Sequence, residues 1–359
     1  MRRSRQLWLS VLIALPLAVY AACGDDDAQT APPGSTSSGG TDASADRKTT
    51  PTGDDDATAD ADTTGDDDDT DSSTPGVMRG PVSLDFDKDG NGDPTSLVWD
   101  DAEQVLYVAD NKNNDIWRWT DKDRTFTKHL KIPNSNATGP FPTDVGQLVK
   151  LPDGTFVVPR FGGSGGNSAV AFVKDATTKG EVPGVDATLK RVALTGDGSQ
   201  TMYGATFIKA TGDDAGVVTR VTTSKEEPYA AGFQKVVSTV VKGKALYVVD
   251  QSRDTVYILP TDGGAVAPYD VFATVPFPDT MVEGPKDTFL TGQFKASTDG
   301  GKLEVRKISA DGKTVTSFDT GGLPLSKPKG LAYDKTNKRL FVADSNGTAV
   351  RTIKIFPLE

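Results

Sequence analysis

The hexapeptide VLYVAD, Val105 to Asp110, returns near the other end of the chain as RLFVAD, Arg339 to Asp344. Four looser copies lie between them: GTFVVP (154–159), SQTMYG (199–204), KALYVVD (244–250) and DTFLTG (287–292). Taking Tyr107, Phe156, Met202, Tyr247, Phe289 and Phe341 as equivalent, the spacings are 49, 46, 45, 42 and 52 residues. Short strands between Gly- and Asp-rich turns, repeated about every 45 residues, are the pattern of a β-propeller with one four-stranded blade per repeat. A blade buries its faces only against its neighbours, so the core of such a chain comes from closing a ring of them.

Each copy has an apolar stretch before it and another strand after it. The stretches before are SLVWD (96–100), GQLVKL (146–151), RVALTG (191–196), VSTVV (237–241), DTMVEG (279–284) and GLAYD (330–334). After come DIWRWT (115–120), AVAFV (169–173), GVVTRV (216–221), TVYILP (255–260), LEVRKI (303–308) and the strand from Val350 to Ile355. They read as half-buried or fully buried strands. Blade 1 has a fourth strand at FTKHLKI (126–132), while blade 6 runs out of chain after its third. The segment GPVSLDF (80–86) has no other partner and is assigned as the missing outer strand of blade 6, which leaves no sheet edge open. The expectation is an all-β, six-bladed propeller over 77–359.

The residues before it follow other rules. Arg2, Arg3 and Arg5 precede an apolar run from Leu7 to Ala22, short for a membrane span and suited to a secretory signal. The run ends in Tyr20-Ala21-Ala22-Cys23, which resembles the lipobox of bacterial lipoproteins, although Tyr20 stands where that motif has an aliphatic residue. The resemblance implies lipidation of Cys23, the sole cysteine, and a membrane contact through that lipid; cleavage between Ala21 and Ala22 is the rival. Gly24 and Asp25 follow, and by the same resemblance the place is a bacterial cell envelope, at the outer membrane. From residue 23 to 76 the chain is Asp, Thr, Ser, Gly, Ala and Pro almost throughout, a composition that cannot bury apolar surface and is expected to be a disordered tether. It holds 15 Asp against Arg47 and Lys48, so most of the net charge of −11 belongs to the tether and the propeller is close to neutral. No basic stripe exists to meet phosphates, which argues against a nucleic-acid partner.

Lys327-Pro328-Lys329-Gly330-Leu331-Ala332-Tyr333-Asp334, with the strand from Arg339 to Ser345, resembles an NHL repeat. The first blade, Ser96 to Asp100 with Val105 to Asp110 and Asp115 to Trp119, resembles the opening blade of the SMP-30/gluconolactonase family. Both families are six-bladed propellers. The second implies lactonase chemistry on a divalent metal held at the channel mouth by a Glu, an Asn and an Asp. Here Thr95 stands in place of the glutamate and Lys329 in place of the late aspartate, leaving only Asp144 as a carboxylate at a comparable blade entrance. One ligand does not make a metal site.

His129 is the only histidine and belongs to an outer strand, which removes Ser-His, Cys-His and His-built metal chemistry. Gly162 to Gly166 is no phosphate cradle, since no helix follows it. Asp110, Asp250 and Asp344 each end a second strand, where aspartate commonly accepts backbone N–H bonds of the following turn. Blades 2, 3 and 5 depart from that pattern together, with Arg160-Phe161, Thr206-Phe207 and Gln293-Phe294 ahead of longer Gly/Asp-rich loops. Arg160, Phe161, Phe207, Arg253, Gln293, Phe294 and Asp144 are therefore the candidate ligand-binding residues, on the face that also carries Phe141, Phe277, Asp279 and Lys329. Asp85, Asp87, Asp89 and Asp93 fit the loop D-x-D-x-D-G-x-x-D, a pattern of hard oxygens that suits Ca2+. The functional expectation is a non-enzymatic, lipid-anchored propeller that binds a protein or polysaccharide with one face. The alternative is a propeller hydrolase or lyase acting on a sugar or lactone. For the anchor, Cys23→Ser is expected to release the protein from the membrane fraction; a wild-type protein that takes up no palmitate analogue on metabolic labelling would refute lipidation.

Overall fold

In the computed structural model the chain divides into two units, Met1–Asp71 and Ser72–Glu359. The described residues all lie in the second: 80–86, 92–133, 145–162, 168–208, 215–262, 267–295, 303–345 and 351–358. Twenty-four strands among them form six four-stranded antiparallel sheets, the blades of a β-propeller. Cys23 and the signal and tether segments are outside the described residues.

Within a blade the strands follow chain order outward from the centre, and their burial explains their sequences. Second strands are buried on both faces, between two blades, and so read as unbroken apolar runs: Val105–Asp110 and Arg339–Ser345 are buried at every position. Outer strands meet solvent and are largely polar, as in Thr127–Lys131, Lys179–Glu181 and Val315–Ser317. Their polarity is why the sequence shows an outer strand clearly in blade 1 alone.

Innermost strands of adjacent blades pack side by side around the centre. Side chains sew them together: Ser96 Oγ accepts the Leu148 N–H at 2.8 Å, and Ser238 Oγ accepts the Met281 N–H at 3.1 Å. The approach is closest at two glycines. A Cβ on Gly146 would lie 2.1 Å from the Val192 carbonyl oxygen, and one on Gly330 2.6 Å from that of Thr95. Blade 2 uses this closeness to pair across the blade boundary, with Gln147 bridging Ala193 in parallel.

The ring closes as the sequence implies. Val82–Asp85 pairs antiparallel with the third strand of blade 6, placing Val82 opposite Ile355 and Leu84 opposite Ile353. The next residue, Phe86, leaves the sheet and inserts into blade 1, where it meets Trp117 and Phe126 edge-on at 5.4 and 5.2 Å. Beside it, the fully buried Arg339 of blade 6 donates to both carboxylate oxygens of Asp121 in blade 1, at 2.6 and 2.8 Å. The same guanidinium bonds Asp334 at 2.7 Å and lies over the rings of Trp99 and Phe341. The seam between first and last blades is thus both apolar and ionic.

This makes the seam sensitive. Phe86→Ala is expected to lower stability by about 3–5 kcal/mol, and Arg339→Met by about 3 kcal/mol, because it strands the buried Asp334. Lys313→Met, which removes the exposed pair with Asp311, should change it by less than about 0.5 kcal/mol. Urea unfolding of the full-length protein measures all three, and seam variants as mild as the surface control would contradict the assignment.

Candidate active site at the channel mouth

Each blade contributes to one face of the ring through the residues that open its innermost strand. Three of these openings are built alike. Asp110 Oδ1 accepts the Asp93 N–H at 2.9 Å, Asp250 Oδ1 accepts that of Lys235 at 2.8 Å, and Asp344 Oδ1 accepts that of Lys327 at 2.5 Å. In return, the carbonyls of Asp93, Lys235 and Lys327 accept the N–H of Asn111, Gln251 and Ser345. The three aspartates are fully buried and act on the backbone. They fix Asp93, Lys235 and Lys327 at equivalent places around the mouth.

A second ring lies two residues further in, where the innermost strands of most blades bulge against their partners. Its members are Thr95, Gly146, Val192, Val237, Asp279 and Lys329. A bulge re-aims its side chain off the ladder. Lys329 shows the consequence: it crosses to the next blade and pairs with Asp93 at 2.8 Å. Asp93 also accepts from Ser345 Oγ at 2.7 Å. Burial alone would raise the Asp93 carboxyl, but the bond to and charge of Lys329, with Ser345 and Asn111, outweigh it and hold the group below its ordinary value.

Asp279 occupies the place of Lys329 one blade earlier, with the charges reversed. Its counterpart in the next blade is Lys327, and Lys235 stands on its other side in blade 4. Solvent reaches part of its surface along the channel, yet protein encloses it. That burial pushes its carboxyl up to about 7, against the opposing pull of Lys235, Lys327 and a hydrogen bond from the Thr280 N–H. Asp279 makes no direct ion pair among the described residues. It is a carboxyl near half-protonation at neutral pH, between two ammonium groups, at the opening of a channel.

Aromatic rings surround these charges. Lys235 Nζ lies 5.4 Å from the ring centre of Phe207 and 5.1 Å from that of Phe294, and Lys190 Nζ lies 5.7 Å from that of Phe161. Phe161 and Phe207 are 5.9 Å apart. Phe294 is 46% exposed, an unusual state for so large an apolar side chain. A cavity of about 200 Å³ opens beside Phe161, lined also by Asn111, Val145, Gly146 and Val192.

The residues expected to bind ligand divide in this setting. Phe161, Phe294 and the exposed Arg253 border the mouth, whereas Phe207 is buried beneath Lys235. Arg160 and Gln293 are buried and serve the scaffold. Arg160 donates to Asn114 Oδ1 at 2.9 Å and to the Pro133 carbonyl, tying blade 2 to blade 1, and Gln293 Nε2 donates to the Pro276 carbonyl at 3.2 Å. A long polar side chain at the end of a fully buried strand finds its partners in the neighbouring loops, which explains the difference. Asp144, Asp87 and Asp89 lie outside the described residues. Asp85 is exposed at the end of the closing strand, and Asp93 is drawn away from it toward Lys329. The residues with most chemical promise, Asp279, Lys235 and Lys327, carry no motif; their only mark in the sequence is charge at a strand opening.

A divalent metal of the lactonase kind does not fit this mouth. Among the described residues no group of three or more His, Cys, Asp or Glu side chains could hold one. Lys329 and Lys327 place positive charge where such an ion would sit.

No protein-family model matches the sequence, and no characterised protein matches it in sequence. Solved structures resemble it in fold. Regucalcin from Agrobacterium tumefaciens, described as a calcium-binding protein, aligns over 77% of this chain and 94% of its own, with a TM-score of 0.58 and 14% identity. A gluconolactonase from Xanthomonas campestris covers 78% of this chain and 90% of its own, with a TM-score of 0.56 and 13% identity. A streptogramin B lyase covers 79% and 100%, with a TM-score of 0.51 and 12% identity. The expectation of a non-enzymatic binding propeller is corrected at this point. Two of these three fold neighbours are enzymes, a lactonase and a lyase. The argument against catalysis had rested on missing metal ligands, while a carboxyl between two lysines can work without them. Identities this low speak for the architecture, which is the six-bladed propeller of the regucalcin and gluconolactonase structures.

Proposed function

We propose that the protein is an enzyme, a hydrolase or lyase that uses the channel mouth to act on an anionic sugar or sugar-derived lactone. One observation carries this reading: Asp279 stands at the channel opening, poised to exchange a proton near neutrality, between the ammonium groups of Lys235 and Lys327. General acid–base catalysis is most effective when the group titrates near the working pH. An oxyanion forming on a carbonyl or carboxylate would be stabilised by the two lysines in a partly dry site. Phe161 and Phe294 offer apolar surfaces on which a sugar ring can stack. The lipid anchor expected at Cys23 would place this chemistry in the cell envelope.

With Asp279 as the base, activity rises with pH as its carboxyl ionises around 7. Stability follows the opposite sign. The folded carboxyl binds its proton more tightly than the unfolded one, whose value is 3.8, so the native state holds the extra proton between about pH 4 and pH 7. Stability therefore falls as pH rises through that window. Asp279→Asn should lower the rate about 10²- to 10⁴-fold and flatten the stability profile between those limits. A variant that retains full activity on every sugar acid and lactone the wild type converts would end this reading.

A calcium ion on the 85–93 loop is a separate proposal with a structural role. The loop stands at the ring seam, and Asp93 is already engaged with Lys329. A melting temperature lowered by chelator and restored by Ca2+ would support it; equal melting temperatures in the two would sink it.

A further inference from the structure

We propose that the substrate is a uronate-bearing glycan and that the channel mouth cleaves it by β-elimination, with Lys235 and Lys327 neutralising the uronate carboxylate and Asp279 as the base. This rests on the reading of the mouth as an active site and selects one reaction within it.

Two features select the substrate. Lys235 lies about as far from the exposed Phe294 ring as a carboxylate lies from the face of its own sugar, 5.1 Å from ammonium to ring centre. A ring stacked on Phe294 with a carboxylate on a ring carbon would engage both at once. Lys327 stands on the other side of Asp279, its backbone fixed by Asp344 as that of Lys235 is by Asp250. A neutral sugar would leave both ammonium groups unpaired beside the reacting atoms.

The number of available carboxylates selects the reaction. Glycoside hydrolysis uses two carboxylates flanking the scissile bond. Among the described residues at the mouth, Asp110, Asp250 and Asp344 are fully buried on backbone N–H groups, and Asp93 is paired with Lys329. Asp279 alone is uncommitted. Elimination needs one base, provided the adjacent carboxylate is neutralised so that negative charge can develop on it. Ionised Asp279 takes the proton from C5, and the C5–H electrons form the C4–C5 double bond. The C4–O bond breaks, and the departing oxygen receives a proton from the newly protonated Asp279. The products are an unsaturated uronate and an alcohol; no water is consumed and no oxidant is required.

The test uses the full-length protein with polygalacturonate, alginate and a glucuronate-containing polysaccharide, run in water enriched in heavy oxygen. The expected result is ultraviolet absorbance of the conjugated unsaturated carboxylate, with no heavy oxygen in the products. Asp279→Asn should lose at least about 10²-fold in rate, and Lys235→Met at least about tenfold in kcat/KM while melting within a few degrees of wild type. Chain cleavage that incorporates heavy oxygen without absorbance would overturn elimination and leave the acid–base site standing. Turnover of lactones or neutral sugars but of none of the three uronates would overturn the substrate class. Uronate cleavage undiminished in Asp279→Asn would remove the site itself, and no turnover of any substrate would overturn both readings.

Discussion

No blade of this protein can bury its own faces, and that constraint governs everything else. Each four-stranded sheet is apolar on both sides of its second strand and finds its core only in its neighbours. A ring must therefore close, and closure falls on the one boundary where the chain supplies no covalent continuity. The structure reinforces that boundary twice. The strand Val82–Asp85 completes the last sheet, so that Phe86 is delivered into the first. Arg339 then spans the seam from a fully buried position, bound on both sides by carboxylates and covered by Trp99 and Phe341. A buried ion pair contributes little net stability over an apolar replacement, but breaking one partner is costly, so the arrangement specifies which blades meet.

The close packing of innermost strands also creates the candidate site. Where adjacent backbones touch, side chains at the bulges have no room within the ladder and turn to the neighbouring blade or the channel. Buried aspartates at the ends of second strands then hold the strand openings by backbone bonds, leaving the side chains of Asp93, Lys235 and Lys327 available. The same scaffold thus carries either sign of charge at equivalent places. Between blades 6 and 1 a lysine and an aspartate meet and cancel. At blade 5 the aspartate has lysines on both sides and no direct partner, and its burial leaves a proton poised at neutral pH. Substituting Thr95 and Lys329 at two family ligand positions removes metal chemistry from this mouth and makes it predominantly cationic.

Much of this was legible in the residues. The blade count follows from six apolar hexapeptides at near-constant spacing, since strands buried on both faces cannot hide their composition. The closing strand was legible by elimination, because one apolar segment lacked a partner and one sheet lacked an edge. The buried roles of Asp110, Asp250 and Asp344 followed from turn chemistry, which is local. Four outer strands left little trace, because solvent on one face tolerates sequences such as Lys179–Glu181.

Sequence by itself thus determined the fold, the ring and its closure, all of which rest on local periodicity and on counting. Only the tertiary structure decided the site. Asp279 has its electrostatic partners 44 residues before and 48 residues after it, at Lys235 and Lys327, and neither spacing is a motif. Arg160 and Gln293 read as surface donors until their partners in neighbouring loops were in view. A pKa near 7 depends on how much protein surrounds a carboxyl and where the nearest charges stand. Those are properties of three blades packed together, and no single repeat contains them.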